Sequence, residues 1–191
     1  MLTTGAAMAQ KQFTFGPKVG VDYTHFWGKD LKNGKGLFNY QAGVFMEYRF
    51  NDKFSIAPEV VFAAQGGKWD YFDDFYKRNE KITDHINYIN VPVMLKYYVC
   101  PAVSIDLGPQ LGINVYSKRT EKWEESDGEH KHTSDIKDIT KTIDFGVGLG
   151  LTYNIAKDVF VQGRYTLGLT KIFDGADTKN GNAQIAIGYR F

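Results

Sequence analysis

At 191 residues with a formal net charge of +1, the chain suits one domain and carries no excess of positive charge for holding a nucleic acid. Its single cysteine, Cys100, excludes an internal disulfide and a cysteine-based metal site. The apolar runs are too short for a membrane-crossing helix of about 20 residues. The mean hydropathy of −0.35 still permits a membrane barrel, in which only alternate side chains meet lipid.

Ala7-Met8-Ala9 before Gln10 has the small-x-small form of a signal-peptidase site. Residues 1–9 are therefore expected to be a signal-peptide remnant, and residues 10–191 the barrel domain. Period-two alternation begins immediately. Over 13–27, Phe13, Phe15, Val19, Val21, Tyr23, His25 and Trp27 share one face, and Thr14, Gly16, Lys18, Gly20, Asp22, Thr24 and Phe26 the other. Residues 37–50 repeat it, with Phe38, Tyr40, Val44, Met46 and Tyr48 against Asn39, Gln41, Glu47 and Arg49. Asn51-Asp52-Lys53 reads as a tight turn. A third strand is expected over 54–65, where Pro58 removes a ladder donor and predicts a local weak point or bulge.

The fourth strand, 85–99, sets Ile89, Val91, Val93, Leu95 and Tyr97 against Asn90, Met94, Lys96 and Tyr98. After the turn at 100–102, the fifth, 103–116, alternates Ile105, Leu107, Leu111 and Ile113 with Ser104, Asp106, Gln110 and Asn114. The sixth, 142–155, alternates Phe145, Val147, Leu149 and Leu151 with Asp144, Gly146, Gly148 and Gly150. Past the turn at 156–158 come 159–169 and 182–191, carrying Arg164 and Arg190 on their polar faces. Connections alternate between very short ones and the long polar segments 28–36, 66–84, 117–141 and 170–181. That asymmetry predicts an all-β fold, an eight-stranded antiparallel up-and-down transmembrane β-barrel with short periplasmic turns and long outer loops.

The polar face is assigned to the interior because its charges balance. Lys18, Arg49, Lys96, Arg164 and Arg190 stand against Asp22, Glu47, Glu59, Asp106 and Asp144. Glu47, Arg49, Glu59, Lys96, Asp106, Asp144, Arg164 and Arg190 are expected to form an interior charge network. Tyr88, Met94, Tyr98, Tyr116 and Phe160 are expected to fill space beside it. Trp27, Phe38 and Tyr40 suit an outer aromatic girdle, and Tyr48, Phe54, Tyr97 and Tyr153 an inner one.

Asn87-Tyr88-Ile89-Asn90-Val91-Pro92-Val93-Met94-Leu95-Lys96-Tyr97-Tyr98 resembles the signature strand of PorT-like outer-membrane β-barrels, a group of small OmpX/OmpA-type eight-stranded barrels. Gly108-Pro109-Gln110-Leu111-Gly112 and Asp144-Phe145-Gly146-Val147-Gly148-Leu149-Gly150 are similar to that family's later strands. The closing Tyr189-Arg190-Phe191 resembles a terminal assembly signal, with Tyr189 and Phe191 read by barrel-assembly machinery. The resemblance implies a bacterial outer-membrane location with outer-membrane lipid around the barrel, but no particular activity.

The chain is expected to be non-catalytic, without cofactor or metal, acting through outer loops in structural, adhesive or envelope-complex interactions with an envelope or extracellular protein. Two alternatives remain. One is a lipid-modifying enzyme using His25 or His85 with Ser117 as nucleophile; the other is a soluble lipocalin-like ligand-binding barrel. Trp69, Tyr71, Phe72, Phe75 and Tyr76 form a candidate loop interaction surface, or else a hairpin whose aromatics pack on one another. Glu121, Glu124, Glu125, Asp127, Glu129, His130 and His132 match no coordination loop and read as a solvated acidic hairpin.

Overall fold

A computed structural model of the chain describes residues 12–29, 34–73, 78–125, 128–173, 175 and 177–191. The expected signal-peptide remnant, residues 1–9, lies outside them. The strands are β1 (Phe13–Gly28), β2 (Leu37–Arg49), β3 (Phe54–Asp73), β4 (Arg78–Cys100), β5 (Val103–Glu125), β6 (Gly128–Asp135), β7 (Ile143–Asn154), β8 (Val159–Gly168) and β9 (Thr178–Tyr189).

All pairings between them are antiparallel. β1 pairs with both β2 and β9, and the sheet closes through β4 and β5. Eight strands form the ring. β6 stands outside it, pairing with the distal half of β5, while the proximal half pairs with β7. Closure follows from solvent: within a bilayer every backbone N–H and C=O must be paired inside the chain, and a closed ladder leaves no open edge.

The short turns are built locally. Asn51 Oδ1 accepts from the backbone N–H groups of Lys53 and Phe54, both at 2.9 Å, fixing the β2–β3 turn. The N–H groups of Ile155 and Ala156 both donate to the Val159 carbonyl at the β7–β8 turn.

Three expectations change. The segments 66–84 and 117–141 are largely continuous strand rather than open loops, because the β3–β4, β4–β5 and β5–β6 ladders run on well past the roughly 11 residues a tilted strand needs to cross a membrane. Pro58 interrupts its ladders without shifting register, since both neighbouring strands resume on the same diagonal. A bulge falls in β5 instead, where Asn87 faces Tyr116 but Tyr88 faces Asn114, so Val115 is the extra residue; a second register shift lies between Tyr98 and Cys100, beside the β4–β5 turn. The bulge at Val115 reverses the alternation above it. Tyr116, expected inside, is exposed, and Ser117 turns inward.

Burial is inverted relative to a water-soluble protein. Phe38 is 84% exposed and Val21 60%, whereas Lys18 and Asp22 are 2% and 0% exposed. The outward belt, too continuous for water, is suited to hydrocarbon. Inward glycines leave space for long neighbours. A Cβ on Gly188 would lie 2.3 Å from the Phe160 ring, which occupies that space opposite it in the β8–β9 ladder.

With the turns in the periplasm, an impermeant maleimide applied to intact cells is expected to label a Lys131→Cys variant and to spare Cys100, which sits at the opposite end. Gly128 is unsuitable for the probe because its φ of 136° would strain any side chain. Labelling of Cys100 alone would reverse the orientation.

Candidate functional site

The interior is a stack of polar layers that converge because period-two strands send every second side chain into a narrow lumen. Nearest the turns, Glu47 accepts from Ser55 Oγ at 2.7 Å and from the Tyr98 hydroxyl. Arg190 Nε lies 3.8 Å from Glu47 Oε2, and its Nη2 donates to Asn154 Oδ1 at 2.9 Å. Arg49 stacks 4.0 Å above the Tyr98 ring.

The middle layer crosses the barrel. Glu59 on β3 receives Lys18 Nζ from β1 at 2.6 Å and the two Arg164 Nη groups from β8 at 2.5 and 3.1 Å. Lys96 on β4 donates to Asp106 at 3.0 Å and to Thr152 at 2.9 Å. Gln162 joins the two clusters. Its carbonyl accepts from Lys18 and Arg164, and its amide N–H donates to Asp106 at 2.9 Å. These side chains are almost wholly buried, so each charge depends on its partners.

Further out, Asp22 accepts from Gln41 at 2.8 Å. Asp144, the least buried of the expected acids, accepts from Thr170 at 2.6 Å and from Asn180 at 2.7 Å. Asp144 lines a polar chamber of about 10 Å³ together with Gln65, Gln110, Thr166, Asn180 and Asn182, room for one water-sized occupant. Above it, Phe26, Ile86, Tyr88 and Ile172 form a buried apolar cluster, with Trp69 and Phe173 packed against it. Arg119 stacks over Trp69 at 5.2 Å and grips Asp84 with two bonds of 2.8 Å. Burial pushes the Asp84 carboxyl up, and the bonds to Asp84 raise the Arg119 guanidinium.

The eight expected network residues therefore divide among separate layers. Glu59 with Arg164, Lys96 with Asp106, and Glu47 with Arg190 come together as pairs. Asp144 meets only neutral donors among the described residues, and Arg49 lies over an aromatic ring. Lys18, counted among the inward charges but left out of the expected network, and Gln162, not singled out although its inward parity was legible, are central to the middle layer. The apolar cluster was missed because Phe26, Ile86 and Ile172 come from segments distant in the chain, Ile172 from a connection outside the expected strands.

Trp69 is half-buried against Phe26 at a ring separation of 6.0 Å, so it serves the mouth of the barrel rather than an outward surface. Tyr71 and Phe72 lie in β3; Phe75 and Tyr76 lie outside the described residues. Ser117 is buried and bonded to Asn114 and Thr140. His25 approaches Tyr165 at 3.4 Å, and His85 is exposed. No contact described for Ser117 involves a histidine. In the β5–β6 hairpin, Trp123 stacks on His130, and no three potential metal ligands converge among the described residues. Asp127 lies outside those residues. Tyr189 and Phe191 are exposed together at a ring separation of 5.2 Å.

Residues 8–174 match the family described as outer membrane protein beta-barrel domain. Among solved structures, the chain is similar to Ail, the attachment invasion locus protein of Yersinia pestis. Identity is 15%, coverage is 94% of this chain and 99% of that one, and the TM-score is 0.50. It is also similar to Neisserial surface protein A at 14% identity, with coverage of 93% and 97% and a TM-score of 0.50. At these identities the likeness speaks for the fold. Comparison with curated protein sequences found no match.

Replacing Glu59 by Ala leaves Lys18 and Arg164 buried together without their shared anion. The expected cost is about 3–5 kcal/mol, read from urea unfolding of the vesicle-inserted barrel. A Glu59→Ala variant as stable as the parent would remove the middle layer from the account of stability.

Proposed function

This chain belongs to the outer membrane protein β-barrel domain family and resides in the bacterial outer membrane, and from that premise we propose that it is a non-catalytic, non-conducting barrel acting through its outer hairpins. The observation that carries the reading is the cross-lumen layer of Lys18, Glu59, Gln162, Arg164, Lys96 and Asp106. Opposite charges bonded across a narrow lumen hold its walls together and leave no continuous water path. The apolar cluster at the outer mouth adds a second closure.

The functional surface then lies above the membrane. The β3–β4 and β5–β6 hairpins extend far beyond what closure of the barrel requires, which supports an interaction role with an envelope or extracellular protein. The lumen-facing position of Ser117, bonded to neutral partners, supports the non-catalytic reading. The narrower PorT-like affiliation is part of the same proposal and rests on the segment from Asn87 to Tyr98. Barrel-assembly machinery is the proposed reader of the exposed Tyr189 and Phe191.

Planar-bilayer recording of the purified protein is expected to give no stable openings. Removal of residues 121–132 is expected to leave insertion and heat-modifiable migration unchanged while abolishing capture of a surface partner. Openings of porin size would overturn the closed lumen, and unaltered partner capture would overturn the role given to the β5–β6 hairpin.

A further inference from the structure

Above the bilayer, β3, β4, β5 and β6 continue as one antiparallel sheet beside the mouth of the barrel. Ile82 and Asp84 of β4 are buried on its inner face, so Lys81, Thr83 and His85 point outward, with the same parity as the lipid-facing Ile89. Lys81 stands directly across from Lys122 of β5, and Lys122 directly across from Lys131 of β6. All three are exposed. A further pair of lysines, Lys35 and Lys68, meets in an isolated bridge at the β3 edge of the same sheet. Like charges directly opposite one another destabilise a ladder. In the lumen, by contrast, Lys18, Lys96 and Arg164 each meet a carboxylate.

Acids share this face: Asp70 in register with Lys81, Asp135 across from Lys118, and Glu124 opposite Glu129 towards the tip. None of them interrupts the row of three lysines across β4, β5 and β6. Nearer the membrane, the exposed Thr120 and Thr133 hydroxyls lie 3.4 Å apart. Lys118 sits over the Tyr116 ring at 5.0 Å and joins the face to the lipid-facing belt.

Position selects the partner. An outward face beside a barrel looks along the membrane plane, towards the headgroups of neighbouring lipids. From Ile89 to Lys81 the strand climbs roughly 20 Å, at about 3.3 Å per residue and a tilt of about 40°. The headgroup layer of an ordinary phospholipid adds only about 5–8 Å to each side of the hydrocarbon. A lipid that reaches the row therefore has an extended headgroup, and the three lysines require that headgroup to be anionic.

We propose that the outward face of this sheet binds the anionic saccharide headgroup of an outer-leaflet glycolipid, with Lys81, Lys122 and Lys131 holding its phosphates. The Thr120 and Thr133 hydroxyls meet the sugars below them. Repulsion along the lysine row is offset by anions that the lipid supplies. This rests on the outer-membrane location and not on the protein partner proposed for the hairpins.

The test reconstitutes the full chain in bicelles of three kinds: phosphatidylcholine alone, with rough lipopolysaccharide bearing phosphorylated core sugars, or with the same lipopolysaccharide dephosphorylated. The unfolding midpoint is expected to rise by several degrees with the phosphorylated form alone. The double variant Lys81→Gln/Lys131→Gln should lose at least half of that rise. In phosphatidylcholine it should be no less stable than the parent, because it relieves two like-charge pairs. Acetylation of Lys81 and Lys122 in the parent, read by mass spectrometry, needs no variant and is expected to be several-fold slower beside the phosphorylated lipid. Equal midpoints in the two lipopolysaccharides, or lysines acetylated alike in both, would overturn the proposal. Protection by a soluble sulfated polysaccharide but not by the lipopolysaccharide would also overturn it, in favour of a soluble partner.

Discussion

Every backbone polar group in this chain that lies at membrane depth must find its partner within the chain, since lipid offers none. Closure of β1 onto β9 meets that demand, and the rest of the structure follows from closing at eight strands. The lumen is then about as wide as two facing side chains. Whatever points inward must either be small or meet a complementary group from the far wall. Glycine supplies the first solution, most plainly where Phe160 lies over Gly188. The bonds from Lys18 and Arg164 to Glu59 supply the second.

The middle layer is more than a set of ion pairs. Gln162 accepts from the cations around Glu59 and donates to Asp106, so two charge clusters share one amide. An amide does this because it carries a donor and an acceptor on adjacent atoms. Desolvated ions gain little net stability from pairing alone. Removing one partner is nonetheless severe, because the other is stranded in a medium that cannot solvate it. Such a lumen is therefore specified as a whole.

Above the bilayer the physical demands change. Strands β3, β4 and β5 no longer need to close a ring, and they continue as hairpins. The bulge at Val115 is the hinge between the two regimes. It turns Tyr116 outward, where Lys118 sits over its ring at 5.0 Å, and carries Ser117 into the interior. Arg119 then reaches Asp84 and covers Trp69. One extra residue in a ladder thus decides which side chains build the outer mouth.

The alternation of apolar and polar residues by itself determined the strand count of the ring, the short turns and the sign of each face, because a period of two is a local property of extended backbone. Charge balance on the polar face identified that face as the interior before any partner was known. Tertiary structure alone decided which charges meet. Glu59 takes Lys18 and Arg164 rather than Lys96 because shear between strands sets the heights of their side chains, and no local pattern records shear. It likewise decided the bulge at Val115 and the reversal of Tyr116, since a single inserted residue leaves the alternation on either side equally regular. The apolar cluster at the mouth required Phe26 of β1, Ile86 of β4 and Ile172 of the β8–β9 connection to come together, a proximity that exists only once the ladder from β1 to β9 has closed.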